Sequence, residues 1–196
     1  MNGPRTNLLR LVASLAAALI FARADAADLR FIEVYRDTGR NEYRLKSISW
    51  FDADAEALYE VLTNYDQFYK FSSAIVESRN LEPDAKGRPE YFTRMEGCVL
   101  MFCKSFLRIG HLEMEPLVWI EAVTDPERSD FHRAWERWEL KPEDGGTVLI
   151  YEFEMIPDFW VPPVIGPYYM KRALRSGGAH AVDRIEALAK GEEPPS

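Results

Sequence analysis

Ala55-Glu56-Ala57-Leu58-Tyr59-Glu60-Val61-Leu62-Thr63-Asn64-Tyr65-Asp66-Gln67-Phe68-Tyr69-Lys70-Phe71, residues 55–71, decides how the rest of the chain is read. Ala55, Leu58, Tyr59, Val61 and Leu62 fall on one helical face. Asp52 and Asp54 precede that face as caps, because a carboxylate there accepts from the free N–H groups of a first turn. Asn64-Tyr65-Asp66 ends the helix, and Gln67 to Ser72 predicts a second short helical turn carrying Phe68, Tyr69 and Phe71. Just upstream, residues 43–51 (Tyr43-Arg44-Leu45-Lys46-Ser47-Ile48-Ser49-Trp50-Phe51) are rich in strand formers, though only partly alternating.

Downstream, six strand candidates follow with no long helical pattern between them. Ala74 to Leu81 turns through Asp84-Ala85-Lys86-Gly87 into Glu90 to Val99, and Lys104 to Glu115 and Trp119 to Thr124 come next. Phe131 to Leu140 and Thr147 to Ile156 are joined by Glu143-Asp144-Gly145-Gly146, a hairpin signal. Short adjacent strands of this kind imply an antiparallel meander. The chain then closes with a helix over Tyr168 to Lys190, where Met170, Leu174, Gly177, Gly178, Ala181, Ile185 and Leu188 form one stripe.

The chain has 196 residues, 47% hydrophobic and 13% aromatic, which suits one domain with a substantial core and excludes a disordered chain. A net charge of −8 without a basic stripe argues against a nucleic-acid partner. Residues 1–26 read as a signal peptide: Arg5 and Arg10 lead, Leu11 to Ala22 is apolar apart from Ser14, and Ala24-Asp25-Ala26 offers a small-x-small cleavage pattern. Ala22-Arg23-Ala24 is a competing cleavage choice. The apolar run is shorter than the ~20 residues a spanning helix needs. Cleavage removes three arginines and one aspartate, so the mature chain is more acidic still, and any membrane contact must be local and apolar. Location is therefore expected to be periplasmic or secreted. In an oxidising compartment Cys98 and Cys103 favour a local disulfide; two free buried thiols are the alternative, and zinc is a poor third because His111, His132 and His180 have no ligand spacing.

An order of strand, two short helices, six antiparallel strands and a long terminal helix, together with the 55–71 segment, resembles the START-like (SRPBCC) superfamily, and within it the coenzyme Q-binding and polyketide cyclase/dehydrase branch. The resemblance implies an α+β helix-grip fold: a strongly curved antiparallel sheet of about seven strands around the C-terminal helix, with two short helices after the first strand and a hydrophobic cavity between sheet and helix. The organisation expected is a signal peptide over 1–26, an N-terminal extension over 27–42, the START-like domain over 43–190 and a polar tail over 191–196. The resemblance carries over no universal catalytic residue.

Candidate site residues come from the side chains. Gly177-Gly178 costs a helix about 1 kcal/mol per glycine relative to alanine, which suggests that the missing side chains leave room for a ligand; close packing on the sheet, or a kink, is the other reading. Ala181, Met170, Leu174 and Tyr169 belong to the same candidate wall. On the last strand Leu149, Tyr151, Phe153 and Met155 make one apolar face. On the penultimate strand Trp135 and Trp138 lie on opposite faces, and one face must look inward.

Arg94 and Glu96 alternate with Phe92 and Cys98, and Glu136 sits between Ala134 and Trp138. If inward, an Arg-carboxylate pair would hold a ligand head group, or Glu136 would act as a base; if outward, these are solvent-side salt bridges. The row His111, Glu113, Glu115 is most simply a wetted sheet face, so no metal is implied, and no motif calls for a cofactor. The segment Phe159 to Ile165, with Trp160, is unusually apolar for a loop and suits either a lid with transient membrane contact or a loop folded back on the core. The leading expectation is an exported protein that binds or carries a hydrophobic small molecule such as a lipid, quinone or terpenoid. A cyclase/dehydrase-type enzyme using Glu136, Arg94 or Glu96 and a non-catalytic interaction module are the alternatives.

Overall fold

The computed structural model describes residues 27–99, 102–143 and 145–195. The expected signal peptide therefore lies outside the described residues. In chain order the elements are β1 (Asp28–Asp37), β2 (Glu42–Phe51), α1 (Ala55–Thr63), a 3-10 segment (Tyr65–Lys70), β3 (Ile75–Leu81), β4 (Glu90–Val99), β5 (Phe102–Glu115), β6 (Trp119–Thr124), β7 (Phe131–Glu143), β8 (Gly146–Pro157) and α2 (Gly166–Ala189). The Asp54 side chain caps α1 by accepting from Ala57 N, as its position before the apolar face requires.

The strands form one antiparallel sheet in the order β1-β2-β8-β7-β6-β5-β4-β3. Between β2 and β3 α1 and the 3-10 segment intervene, between β6 and β7 a short 3-10 turn (Pro126–Arg128), and β8 returns to pair with β2. The architecture is the expected α+β helix grip, with one correction to the strand count. Among the described residues there are eight strands rather than about seven, because Asp28–Asp37, within the stretch expected to be an extension, pairs with β2 along its length. The register slips between Leu29 and Phe31, so apolar residues in β1 do not keep one parity.

Two apolar clusters fill the concave side. The larger joins Phe51, Leu58, Leu62, Tyr65, Phe68, Tyr91, Ile120, Trp138 and Leu149 to Val182 and Ile185 of α2. The smaller, Tyr43, Phe131, Ala134 and Met155, lies toward the start of α2 with Phe159, Met170 and Leu174 against it. Cys98 and Cys103 face each other across the β4–β5 hairpin and are disulfide-bonded. Among the described residues, no helix is long and apolar enough to cross a membrane.

Candidate functional site

Between the sheet and α2 lies a cavity of about 280 Å³. Strand periodicity decides its walls. On β2 the odd positions Leu45, Ser47, Ser49 and Phe51 turn inward; on β7 Glu136 and Trp138 do; on β8 Leu149, Tyr151 and Phe153 do. Thr93 and Met95 of β4 and Arg108 of β5 complete the sheet side. Across from them α2 presents Met170, Leu174, Gly177, Gly178 and Ala181. Small residues on both sides, serines on β2 and glycines on α2, keep the layers from meeting everywhere.

The two glycines do different things. A Cβ on Gly177 would meet nothing within 4 Å, so that position opens onto free space. A Cβ on Gly178 would lie 3.1 Å from Ile32 Cδ1 and 3.3 Å from Leu45 Cδ1, so there the helix is drawn close to β1 and β2. The pair thus combines open space at Gly177 with close approach to the sheet at Gly178.

One polar cluster interrupts the apolar wall. Arg108 Nη1 donates to Glu136 Oε1 at 2.6 Å, and both residues are buried, at 5% and 3% exposure. The Tyr151 hydroxyl donates to Glu136 Oε2 at 2.8 Å. Arg108 Nε donates to Thr124 Oγ1 at 2.8 Å, and that hydroxyl is 3.1 Å from the Tyr91 hydroxyl. Burial of this kind is tolerable only where charges are paired and hydrogen-bonded. Burial opposes the charge on Arg108, but the Glu136 carboxylate and the phenols of Tyr91, Tyr65 and Tyr151 outweigh it, holding the guanidinium above its ordinary value. Burial, then the negative charge of Glu136, push the phenols of Tyr65 and Tyr151 well above theirs. Tyr65 stacks between Phe68 and Tyr91, with ring centroids 4.2 and 4.6 Å away.

Of the residues expected at a site, Glu136, Tyr151, Phe153, Trp138, Met170, Leu174, Gly177, Gly178 and Ala181 meet around this cavity. Five others are elsewhere. Arg94 and Glu96 lie on the outer sheet face, because Tyr91, Thr93 and Met95 take the inner parity of β4; Arg94 pairs there with Glu77 at 3.1 Å and Glu96 at 3.3 Å. Trp135 is also outward, since Ala134, Glu136 and Trp138 face in, and it lines a shallow depression with Tyr35, Arg44 and Glu152. That depression, about 370 Å³, is walled mainly by charged side chains. Tyr169 is half-buried in the first turn of α2 with its ring edge-on to Tyr168, outside the cavity wall.

Trp160 is 76% exposed. Its loop is divided: Phe159 folds back to stack on Phe106, with centroids 4.2 Å apart, while Trp160 and Val164 project outward. Of the two charged residues that line the cavity, the one that sequence reasoning missed is Arg108. Its signal was present, because Phe106, Arg108, Leu112 and Met114 share one parity of a strand whose other parity carries His111, Glu113 and Glu115. Among the described residues no group of three or more His, Cys, Asp or Glu side chains is placed to hold a metal ion.

The model of a family described as polyketide cyclase / dehydrase and lipid transport matches residues 51–167. The chain belongs to that family. No curated protein sequence matches it. Among solved structures, a STAR-related lipid transfer protein fragment (25–204) from Xanthomonas axonopodis is similar with a TM-score of 0.63 at 13% identity, over 85% of this chain and 99% of that one. Human STARD10 is similar with a TM-score of 0.60 at 13% identity, over 96% of this chain and 81% of that one. The Zhui aromatase/cyclase from Streptomyces sp. R1128 has a TM-score of 0.52 at 12% identity, over 76% and 92%. At such identities the likeness is one of fold, the START helix grip. In this member of the polyketide cyclase / dehydrase and lipid transport family, a buried Arg-Glu-Tyr cluster sits in a mainly apolar chamber.

Proposed function

We propose that this protein is exported, loses residues 1–26, and binds or carries a compact hydrophobic small molecule in the cavity between sheet and α2. The observation that carries the reading is a mainly apolar chamber that holds the buried charged cluster Arg108-Glu136-Tyr151. Apolar walls supply affinity at ~25 cal/mol per Å² of ligand surface buried, and the cluster orients one polar group of the guest. The volume, about 280 Å³, sits at the lower edge of pockets for drug-sized ligands, which favours a single-ring or terpenoid-like guest over a two-chain phospholipid. The disulfide supports an oxidising location.

Loading passes by the loop between β8 and α2. Trp160, Val164 and Ile165 are exposed there, as is Tyr168 in the first turn of α2, two residues before Met170 of the cavity wall. Such an apolar cluster suits brief contact with a lipid surface, from which an apolar guest would enter. Native mass spectrometry of protein recovered from its own extracytoplasmic compartment tests the main reading. A co-purifying apolar molecule is expected; repeatedly empty protein that also takes up none of a panel of quinones, terpenoids and single-chain lipids overturns it.

The cyclase/dehydrase reading has one observation in its favour, a carboxylate and a phenol facing an apolar chamber. Both Glu136 oxygens are already engaged, by Arg108 and Tyr151, which suits holding a guest better than abstracting its proton. Turnover of the bound molecule, lost in Glu136→Gln, would reverse that preference.

A further inference from the structure

Glu186 lies on the last turns of α2, only 7% exposed, at the end of the molecule away from Trp160. Its two oxygens are taken by two backbone nitrogens from other elements. Asp52 N, just after β2, donates to Oε1 at 2.9 Å, and Ala27 N, just before β1, donates to Oε2 at 2.7 Å. Ala27 itself packs against the main apolar cluster beside Leu29.

Lys190 Nζ is 2.9 Å from Asp52 Oδ2 and 3.6 Å from Glu186 Oε1, so two carboxylates share that ammonium. A buried carboxylate is strongly favoured by a directly hydrogen-bonded cation. Ala27 is also the residue that follows Ala24-Asp25-Ala26, the small-x-small pattern in the leader.

We propose that hydrolysis of the Ala26–Ala27 bond creates a mature N-terminus whose α-ammonium forms an ion pair with Glu186, so that removal of the leader completes the fold. Water adds across the amide bond: the Ala26 carboxylate leaves with the leader, and the Ala27 nitrogen takes up a proton to become an ammonium. The donor that was a neutral N–H at 2.7 Å becomes a charged group with three N–H bonds in the same place. The new ammonium then stands near Lys190 and the carboxylates of Glu186 and Asp52. Cleavage after Ala24 instead leaves the Ala27 nitrogen an amide and places the new charge two residues away. The inference rests on the export reading above but not on the identity of any guest.

Two measurements separate the inference from that reading. Intact mass and N-terminal sequencing of protein exported by its own host are expected to give Ala27 as the first residue. A chain beginning at Met1 would overturn export and the inference together, and one beginning at Asp25 would overturn the inference alone. Independently, the chain from Ala27 to Ser196 is released from a cleavable fusion and compared with one that keeps Ala26 in front. The Ala27 chain is expected to melt about 3 °C or more higher, with the difference abolished in Glu186→Gln. Its α-amino group is expected to titrate above the ordinary value of about 8, read from the pH dependence of its acylation, among the charges of Glu186, Lys190 and Asp52. Equal melting points, or an α-amino group of ordinary acidity, would overturn the ion pair even where Glu186→Gln does not fold.

Discussion

Arg108 on β5 and Glu136 on β7 meet at 2.6 Å although β6 runs between their strands. Ala122 is the β6 residue paired with Glu136, and its small, fully buried side chain leaves the passage the guanidinium crosses. The ion pair therefore depends on three neighbouring strands, and it sets the polar end of the cavity.

Removing one partner leaves a buried, uncompensated charge. Glu136→Leu alone is expected to cost about 3–5 kcal/mol in urea unfolding. The double variant Arg108→Met/Glu136→Leu is expected to recover most of that loss, because an apolar pair of similar volume needs no partner. If the cluster orients a guest, the double variant is also expected to bind it more weakly despite its recovered stability. Unfolding midpoints beside ligand titrations check both halves, and a double variant as unstable as the single one would contradict the account.

Much of this arrangement was legible beforehand, and the parts that were not have local causes. The 55–71 segment and the β7–β8 hairpin carry strong signals, caps and a Gly-Gly turn, and they place the main elements within a few residues. Strand β1 is obscured by its slip at Leu29/Phe31, which sends Leu29 and Phe31, then Ile32 and Val34, out of simple alternation. Glu136 and Arg94 look alike in sequence, since each is a charge on a strand face that also carries apolar or small side chains, Ala134 and Trp138 for Glu136, Phe92 and Cys98 for Arg94. Only the pairing of whole strands shows that Arg94 has two acidic neighbours on the outer face while Glu136 has a cation on the inner one.

The two glycines of α2 should respond differently to substitution. At Gly177 a side chain enters open space, so Gly177→Ala is expected to stabilise by up to ~1 kcal/mol through helix propensity. Gly177→Leu is expected to keep the fold and block guest uptake. At Gly178 the added methyl meets Ile32 and Leu45, so Gly178→Ala should gain little or lose. Thermal melts and uptake of a fluorescent apolar probe distinguish the two positions; unchanged probe affinity in folded Gly177→Leu would place the chamber elsewhere.

Alkaline pH offers a test of the buried phenols. Unfolded tyrosines ionise near pH 10, whereas burial and then the Glu136 charge hold Tyr65 and Tyr151 well above that in the folded state. The folded state thus keeps protons that the unfolded state gives up. Their stabilising contribution is complete below about pH 10 and is lost progressively as the pH rises from there toward the folded values. Phenolate absorbance is expected to show fewer than the chain's nine tyrosines titrating before unfolding, and the remainder only with it. Full, smooth titration of all nine in a chain that stays folded would refute the burial of this cluster.

Trp160 and Phe159 are adjacent but have opposite surroundings, and that difference separates structural from surface roles in the same loop. Phe159 stacks on Phe106 and meets Phe131 edge-on at 5.9 Å, so Phe159→Ala is expected to destabilise by about 3 kcal/mol or more. Trp160 has no such packing to lose, and Trp160→Ser is expected to stay within about 0.5 kcal/mol of the parent. If the loop touches a lipid surface, Trp160→Ser should nonetheless reduce co-sedimentation with phosphatidylcholine vesicles by about tenfold, since burying a large apolar side chain contributes ~1.5–3 kcal/mol. Such binding should vary little with salt, because an acidic chain gains nothing from attraction to anionic lipid. Equal vesicle binding by the two proteins would remove Trp160 from the contact and leave the loop a purely structural border of the cavity.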